Sequence, residues 1–167
     1  YEGAGRPTRL QVSFVVQAEA LGTADAVRSA ASYVGARPFV VLNADNLYGA
    51  ATLRTLRESD GPALPVYERD QLVESSAIPF ERVAAFALLT LHLDGTLADI
   101  VEKPGAAAIE AAGPRALVSM NCWRFGPSIF DACRGIEPSP RGELELPNAV
   151  RYSVRVLGER FRALPVD

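Results

Sequence analysis

The run PFVVLNADN constrains the fold more than any other stretch of the chain. Residues 39–42 are continuously apolar, and at Asn43 the chain turns abruptly polar. A strand without polar alternation is buried on both faces, so packed layers must cover its sheet above and below. Strand-like and helix-like segments alternate on either side of it, which is the α/β layered plan.

Upstream, residues 10–16 (LQVSFVV) are rich in Val and Phe and read as a strand. A helix is predicted over 23–34, with Thr23 as N-cap and Asp25 in the first turn, where negative charge suits the helix dipole. Its apolar face is Val27, Ala30, Ala31 and Val34, and Gly35 ends it. ATLRTLRES reads as a second helix and residues 63–67 as a short strand. Residues 83–93 and 96–101 flank Asp94-Gly95, a strong hairpin signal, and Pro104 closes the second arm. Residues 106–112 are a small-residue loop or short helix. A strand over 117–125, helices over 127–133 and 146–157, and a closing strand over 161–166 complete the pattern. The expectation is a mixed, mostly parallel sheet between helices.

A chain of 167 residues suits one domain with a sizeable core. Its net charge of −3 and scattered Lys and Arg argue against a nucleic-acid or membrane-surface partner. No apolar run reaches spanning length and none of these residues reads as a signal peptide, so the cytoplasm is the expected compartment by default. Cys122 and Cys133 form no CxxC pair and read as buried free thiols in a reducing compartment.

Residues 3–10, GAGRPTRL, look like a phosphate-cradling loop. Such a loop needs a strand before it and a helix after it, and here a strand-like run follows instead. Asp45 stands directly after the buried run, where ligands bind in open α/β sheets. It is either a metal ligand or an Asx-type strand cap. Glu102 and Lys103 form an adjacent acid–base pair at the end of the hairpin. They are either a solvated surface pair or a hydroxyl acceptor beside a phosphate-binding charge. The Gln17 amide can read a base edge or face solvent. His92, the only histidine, has no Ser or Cys partner suggested by spacing, and Trp123 reads as core.

These pieces occur in an order that resembles the sugar-1-phosphate nucleotidyltransferases. QAEALGTADAV resembles their base-binding segment, and PFVVLNADNLY their strand ending in Asp-Asn. DGTLADIVEKP is similar to their Asp-Gly hairpin followed by Glu-Lys-Pro. VSMNCWRFGPSIFDA resembles their strand-then-helix, and ELELPNAV the acidic turn that opens a late helix. The resemblance spans about residues 10–160.

It implies a three-layer Rossmann-like fold with a β-hairpin sugar-binding lobe. It also implies an enzyme that uses an NTP and a sugar 1-phosphate, with Mg²⁺ as cofactor, and leaves room for a homo-oligomer. Carried over by position, Gln17 and the Gly22 backbone contact the base, and Asp45 holds Mg²⁺. Glu102 contacts the sugar hydroxyls and Lys103 the sugar phosphate. The chain has Ala87 where the family usually has Gly, and Ser119 and Asn121 where it has Asn and Gly. Asn121 then supplies a sugar contact.

In the family the triphosphate loop precedes everything seen here, so the chain reads as a single domain, 1–167, incomplete at both ends and inactive alone. A non-catalytic regulatory or sugar-nucleotide-binding relative is the alternative. A nucleotide-sugar-dependent glycosyltransferase is disfavoured, because its Asp-x-Asp pair is missing from Asp45-Asn46-Leu47.

Overall fold

A computed structural model describes residues 10–76, 78–83 and 85–166. Helices α1 (Thr23–Ser29) and α2 (Ala31–Val34) lead to strand β1 (Phe39–Leu42), then α3 (Ala50–Glu58) and β2 (Ala63–Glu68). Helices α4 (Arg69–Ser75) and α5 (Phe80–Val83) precede the hairpin of β3 (Ala87–Leu91) and β4 (Leu97–Val101). Helix α6 (Ala106–Ala112), strands β5 (Leu117–Ser119) and β6 (Cys122–Phe125), helices α7 (Ile129–Gly135) and α8 (Leu146–Arg155), and β7 (Arg162–Pro165) follow.

The sheet runs β1-β6-β2-β5-β3-β4, with β7 paired to β2 off this path. The layers follow from the period-two alternation of its strands. Leu64 and Val66 of β2, with Trp123 and Phe125 of β6, join a core with α1, α7 and α8. Ala63 and Tyr67 of β2, with Cys122 of β6, belong to a second core with Leu56 of α3 and Leu72 of α4. Trp123 is fully buried, stacked on Phe125 at 5.9 Å and edge-on to Phe161 at 6.4 Å. It is core, as the sequence suggests. The hairpin is fastened to α8, where Arg151 (2.8 and 3.1 Å) and Arg155 (2.8 Å) both hold Asp99 of β4.

Several expectations change. The sheet is mixed, but most of its pairings among the described residues are antiparallel, not parallel; only β2–β7 is parallel. Strands β1 and β2 do run the same way, yet β6 lies between them and opposes both. Helix–strand alternation reports the crossover and is blind to a strand inserted later. Residues 10–16 form no strand, and Leu10, Phe14 and Val16 are 63, 77 and 85% exposed. Val and Phe propensity needs a neighbouring edge to pair with, and among the described residues none meets this segment. The helix expected over 23–34 breaks at Ala30. Its N-cap is Gly22; the Thr23 hydroxyl instead accepts the Leu146 N–H at 2.9 Å. Residues 80–83 turn as a helix before β3, and α4 had no sequence signal.

Most of the glycine-rich stretch 3–10 lies outside the described residues. Cys122 and Cys133 are both buried and unpaired, and burial pushes their thiols up to about 11 and about 12. Among the described residues no helix is long and apolar enough to cross a membrane.

Candidate active site

The strand expected over 117–125 is present but broken. Its halves β5 and β6 both run antiparallel to β2, with a change of register between them. The two-residue break is Met120-Asn121, and Asn121 sits at φ 57°, in the left-handed region. On the flank away from β2, β1 pairs with β6 and β3 with β5. Leu42 faces Cys122 and Ala87 faces Ser119, so the end of β1 and the start of β3 abut on either side of the break. Strand β4 returns with Val101 opposite Leu88, which delivers Glu102 to the same place. The register alone therefore gathers the Asp45 loop, Asn121 and Glu102.

Side chains lock this junction. Asn46 Nδ2 donates to the Met120 carbonyl (3.1 Å) and to the Tyr48 hydroxyl (3.2 Å). The buried Tyr48 hydroxyl donates to the same carbonyl at 2.7 Å. Asn46 thus ties the loop to the break between β5 and β6. Asp45 itself makes no side-chain hydrogen bond among the described residues. It lines a cavity of about 380 Å³ together with Leu47, Arg82, Phe86 and Met120. No group of three His, Cys, Asp or Glu side chains converges among the described residues. A lone, unpartnered carboxylate still suits Mg²⁺, which keeps waters and is held by one or two carboxylates plus substrate phosphates.

Glu102 and Asn121 share a further property. Glu102 Oε2 and Asn121 Oδ1 are buried without a donor among the described residues. Buried acceptors are normally satisfied, so two orphans at one junction mark a place that expects donors. Burial raises the Glu102 carboxyl above the usual range and Glu145 raises it further, while Lys103 and Arg141 pull it down. Lys103 is exposed, at φ 46°, and makes no ion pair among the described residues.

Arg141, Glu145 and Asp25 were not singled out by sequence reasoning as site residues. Glu145 is buried just ahead of α8 and is held by Arg141 at 2.6 and 3.2 Å. The available signal was the acid in ELELP preceded four residues earlier by an arginine. Gly22 joins this segment to Gln17 and the start of α1. Leu144 N–H donates to the Leu21 carbonyl (2.7 Å) and Ala24 N–H to the Leu144 carbonyl (2.8 Å). At φ 112°, with any Cβ only 2.5 Å from the Leu144 oxygen, only glycine fits at 22. Gln17 reaches the same turn and donates to the Gly22 carbonyl at 3.1 Å. Thr23 and Asn43 line one groove, so the Gly22 turn and the end of β1 lie at the same side of the sheet.

The family model described as nucleotidyl transferase matches residues 2–160. The chain belongs to the nucleotidyl transferase family. Among curated relatives, a glucose-1-phosphate thymidylyltransferase of Streptomyces antibioticus is 30% identical over 91% of this chain and 39% of that protein. A low-salt glycan biosynthesis nucleotidyltransferase of Haloferax volcanii is 27% identical over 89% of the chain and 38% of that protein. The chain thus spans well under half the length of these relatives. A UDP-glucose pyrophosphorylase crystallised with UDP-glucose shares the fold, with a TM-score of 0.65 at 18% identity, covering 89% of this chain and 56% of that one. The nucleotidyltransferase fold expected from the motifs is therefore present.

Proposed function

We propose that this protein transfers a nucleotidyl group from an NTP to a sugar 1-phosphate, giving an NDP-sugar and pyrophosphate. The observation that carries the reading is the pair of orphaned buried acceptors, Glu102 Oε2 and Asn121 Oδ1, beside the Asp45 loop. Sugar hydroxyls are the donors that fit two such acceptors. Lys103 supplies a point charge for the sugar phosphate next to Glu102. In the reaction a phosphate oxygen of the sugar 1-phosphate attacks the α-phosphorus, and the bond to the bridging β-oxygen breaks to release pyrophosphate. Such transfer depends on alignment and charge neutralisation rather than on a covalent nucleophile. Asp45 would hold Mg²⁺, which when bound offsets charge on the phosphate oxygens. Gln17 and the Gly22 backbone orient the base. The cytoplasm, where the two buried free thiols stay reduced, is the compartment that suits this chemistry.

Titration of the chain with NDP-glucoses, followed by amide NMR shifts, tests the placement. The expected result is perturbation centred on Gly22, Asn46, Lys103 and Asn121. Shifts confined to the groove of His92, Asp94 and Arg160 at the far end of the hairpin would refute it.

A further inference from the structure

We propose that Asp25 sets base selectivity by locking the Gln17 amide, so that bases carrying a ring N–H are accepted and cytosine and adenine are disfavoured. The proposal rests on Gln17 and Gly22 being the base contacts. Gln17 Nε2 lies 3.1 Å from the Gly22 carbonyl oxygen and 2.8 Å from Asp25 Oδ2. Both partners are acceptors only, a carbonyl and a carboxylate salt-bridged to Arg28. The amide nitrogen must therefore face them, and the usual ambiguity of amide orientation is resolved by chemistry.

An amide nitrogen has two hydrogens, and both are now used. What Gln17 has left to offer is Oε1, an acceptor without a donor among the described residues. Turning the amide over would set Oε1 against two acceptors at once. Asp25 cannot move to relieve that conflict, because it is 5% exposed in α1, tied to Arg28, and its carbonyl accepts the Ser29 hydroxyl at 2.9 Å. The Gly22 carbonyl is likewise fixed, accepting the Ala26 N–H at 3.1 Å. The Gly22 N–H donates to nothing among the described residues, so the turn offers one acceptor and one donor.

Uracil and thymine present N3–H between two carbonyls, and guanine presents N1–H beside O6. Each answers an acceptor with a donor and a donor with an acceptor. The lock discriminates when the ring nitrogen meets Oε1 and the adjoining exocyclic group meets the Gly22 N–H: cytosine and adenine then set a lone pair against Oε1 and an amino group against that N–H. A site built around a substrate N–H discriminates strongly against a base that lacks it. Without Asp25 only the Gly22 carbonyl would hold the amide, and turning it to suit the other kind of edge would set Oε1 against one acceptor instead of two.

Calorimetric titration of the 167-residue chain with UDP-, dTDP-, GDP-, CDP- and ADP-glucose varies the base alone. The first three should bind at least about tenfold tighter than the last two. UDP-glucose methylated at N3 should lose about tenfold or more against UDP-glucose. In Asp25→Asn the remaining oxygen is claimed by Arg28, leaving an NH₂ against Gln17 and freeing its amide to turn. The UDP-to-CDP ratio should then fall towards one; a packing role alone would weaken both ligands and keep the ratio. Gln17→Met should collapse the same ratio, should the Asp25 variant not fold. Equal binding of all five, or a ratio unchanged in these variants, overturns the lock and leaves the nucleotidyl-transfer reading standing. If none of the five binds, the nucleotide-site reading fails and the lock with it.

Discussion

Asp45→Asn should separate the proposed metal binding from structure, because the hydrogen bonds that tie this loop down belong to Asn46. Asp45 is exposed and makes no side-chain hydrogen bond among the described residues, while Asn46 carries the bonds to Met120 and Tyr48. An isosteric change at an exposed, unbonded side chain alters stability by no more than about 0.5 kcal/mol. If the lost charge holds Mg²⁺, transfer falls by roughly a hundredfold or more, on the order of 3 kcal/mol of transition-state stabilisation. Asn46→Ala should show the reverse on stability. It strips hydrogen bonds from the half-buried Asn46 and leaves the Met120 carbonyl dependent on Tyr48, costing about 1–2 kcal/mol. The assay is pyrophosphate release against magnesium concentration in the enzyme carrying each change, beside a thermal melt. Near-normal release with an unchanged magnesium dependence in Asp45→Asn, or a melt lowered as far as that of Asn46→Ala, would refute the division of labour.

Gly22→Ala should destabilise the fold by roughly 2–5 kcal/mol, combining left-handed backbone strain with a collision against Leu144, seen as a large drop in Tm. Glu102→Gln should raise Tm at pH 7. The native carboxyl is held above its ordinary value, so its ionisation opposes folding as pH rises through the folded pKa. The gain should shrink as pH falls below the ordinary glutamate range, and a gain independent of pH would contradict this origin. Asn121→Gly relieves a left-handed non-glycine residue and removes a buried orphan oxygen. Stability should hold or rise by up to about 1 kcal/mol, while the KM for sugar 1-phosphate rises at least about tenfold. Unchanged KM would remove Asn121 from the sugar site.

The layered α/β plan was legible in the sequence because burial on two faces leaves an unbroken apolar run, as in Phe39–Leu42. The hairpin was legible because Asp94-Gly95 dictates its own turn, with Gly95 at φ 78° and the Thr96 N–H bonded to Asp94 at 2.9 Å. Motif order was enough to nominate Gln17, Gly22, Asp45, Glu102, Lys103 and Asn121 for one site. Which neighbours those residues would have was not legible. Strand propensity over residues 10–16 says nothing about whether an edge is there to pair with, and these residues form no strand. The insertion of β6 between β1 and β2, antiparallel to both in a sheet expected to be mixed and mostly parallel, is a long-range choice with no local signature. Nor could spacing reveal that Asn46, not Asp45, ties the loop to Met120, seventy-four residues away. The same holds for Asp25, whose place in the first turn of α1 reads locally as a helix-dipole charge. Its burial against Gln17 and Arg28 converts that charge into a fixed acceptor. Local propensity and motif order act through a few neighbouring residues, whereas hydrogen-bond polarity at a site depends on groups that only the folded chain brings together.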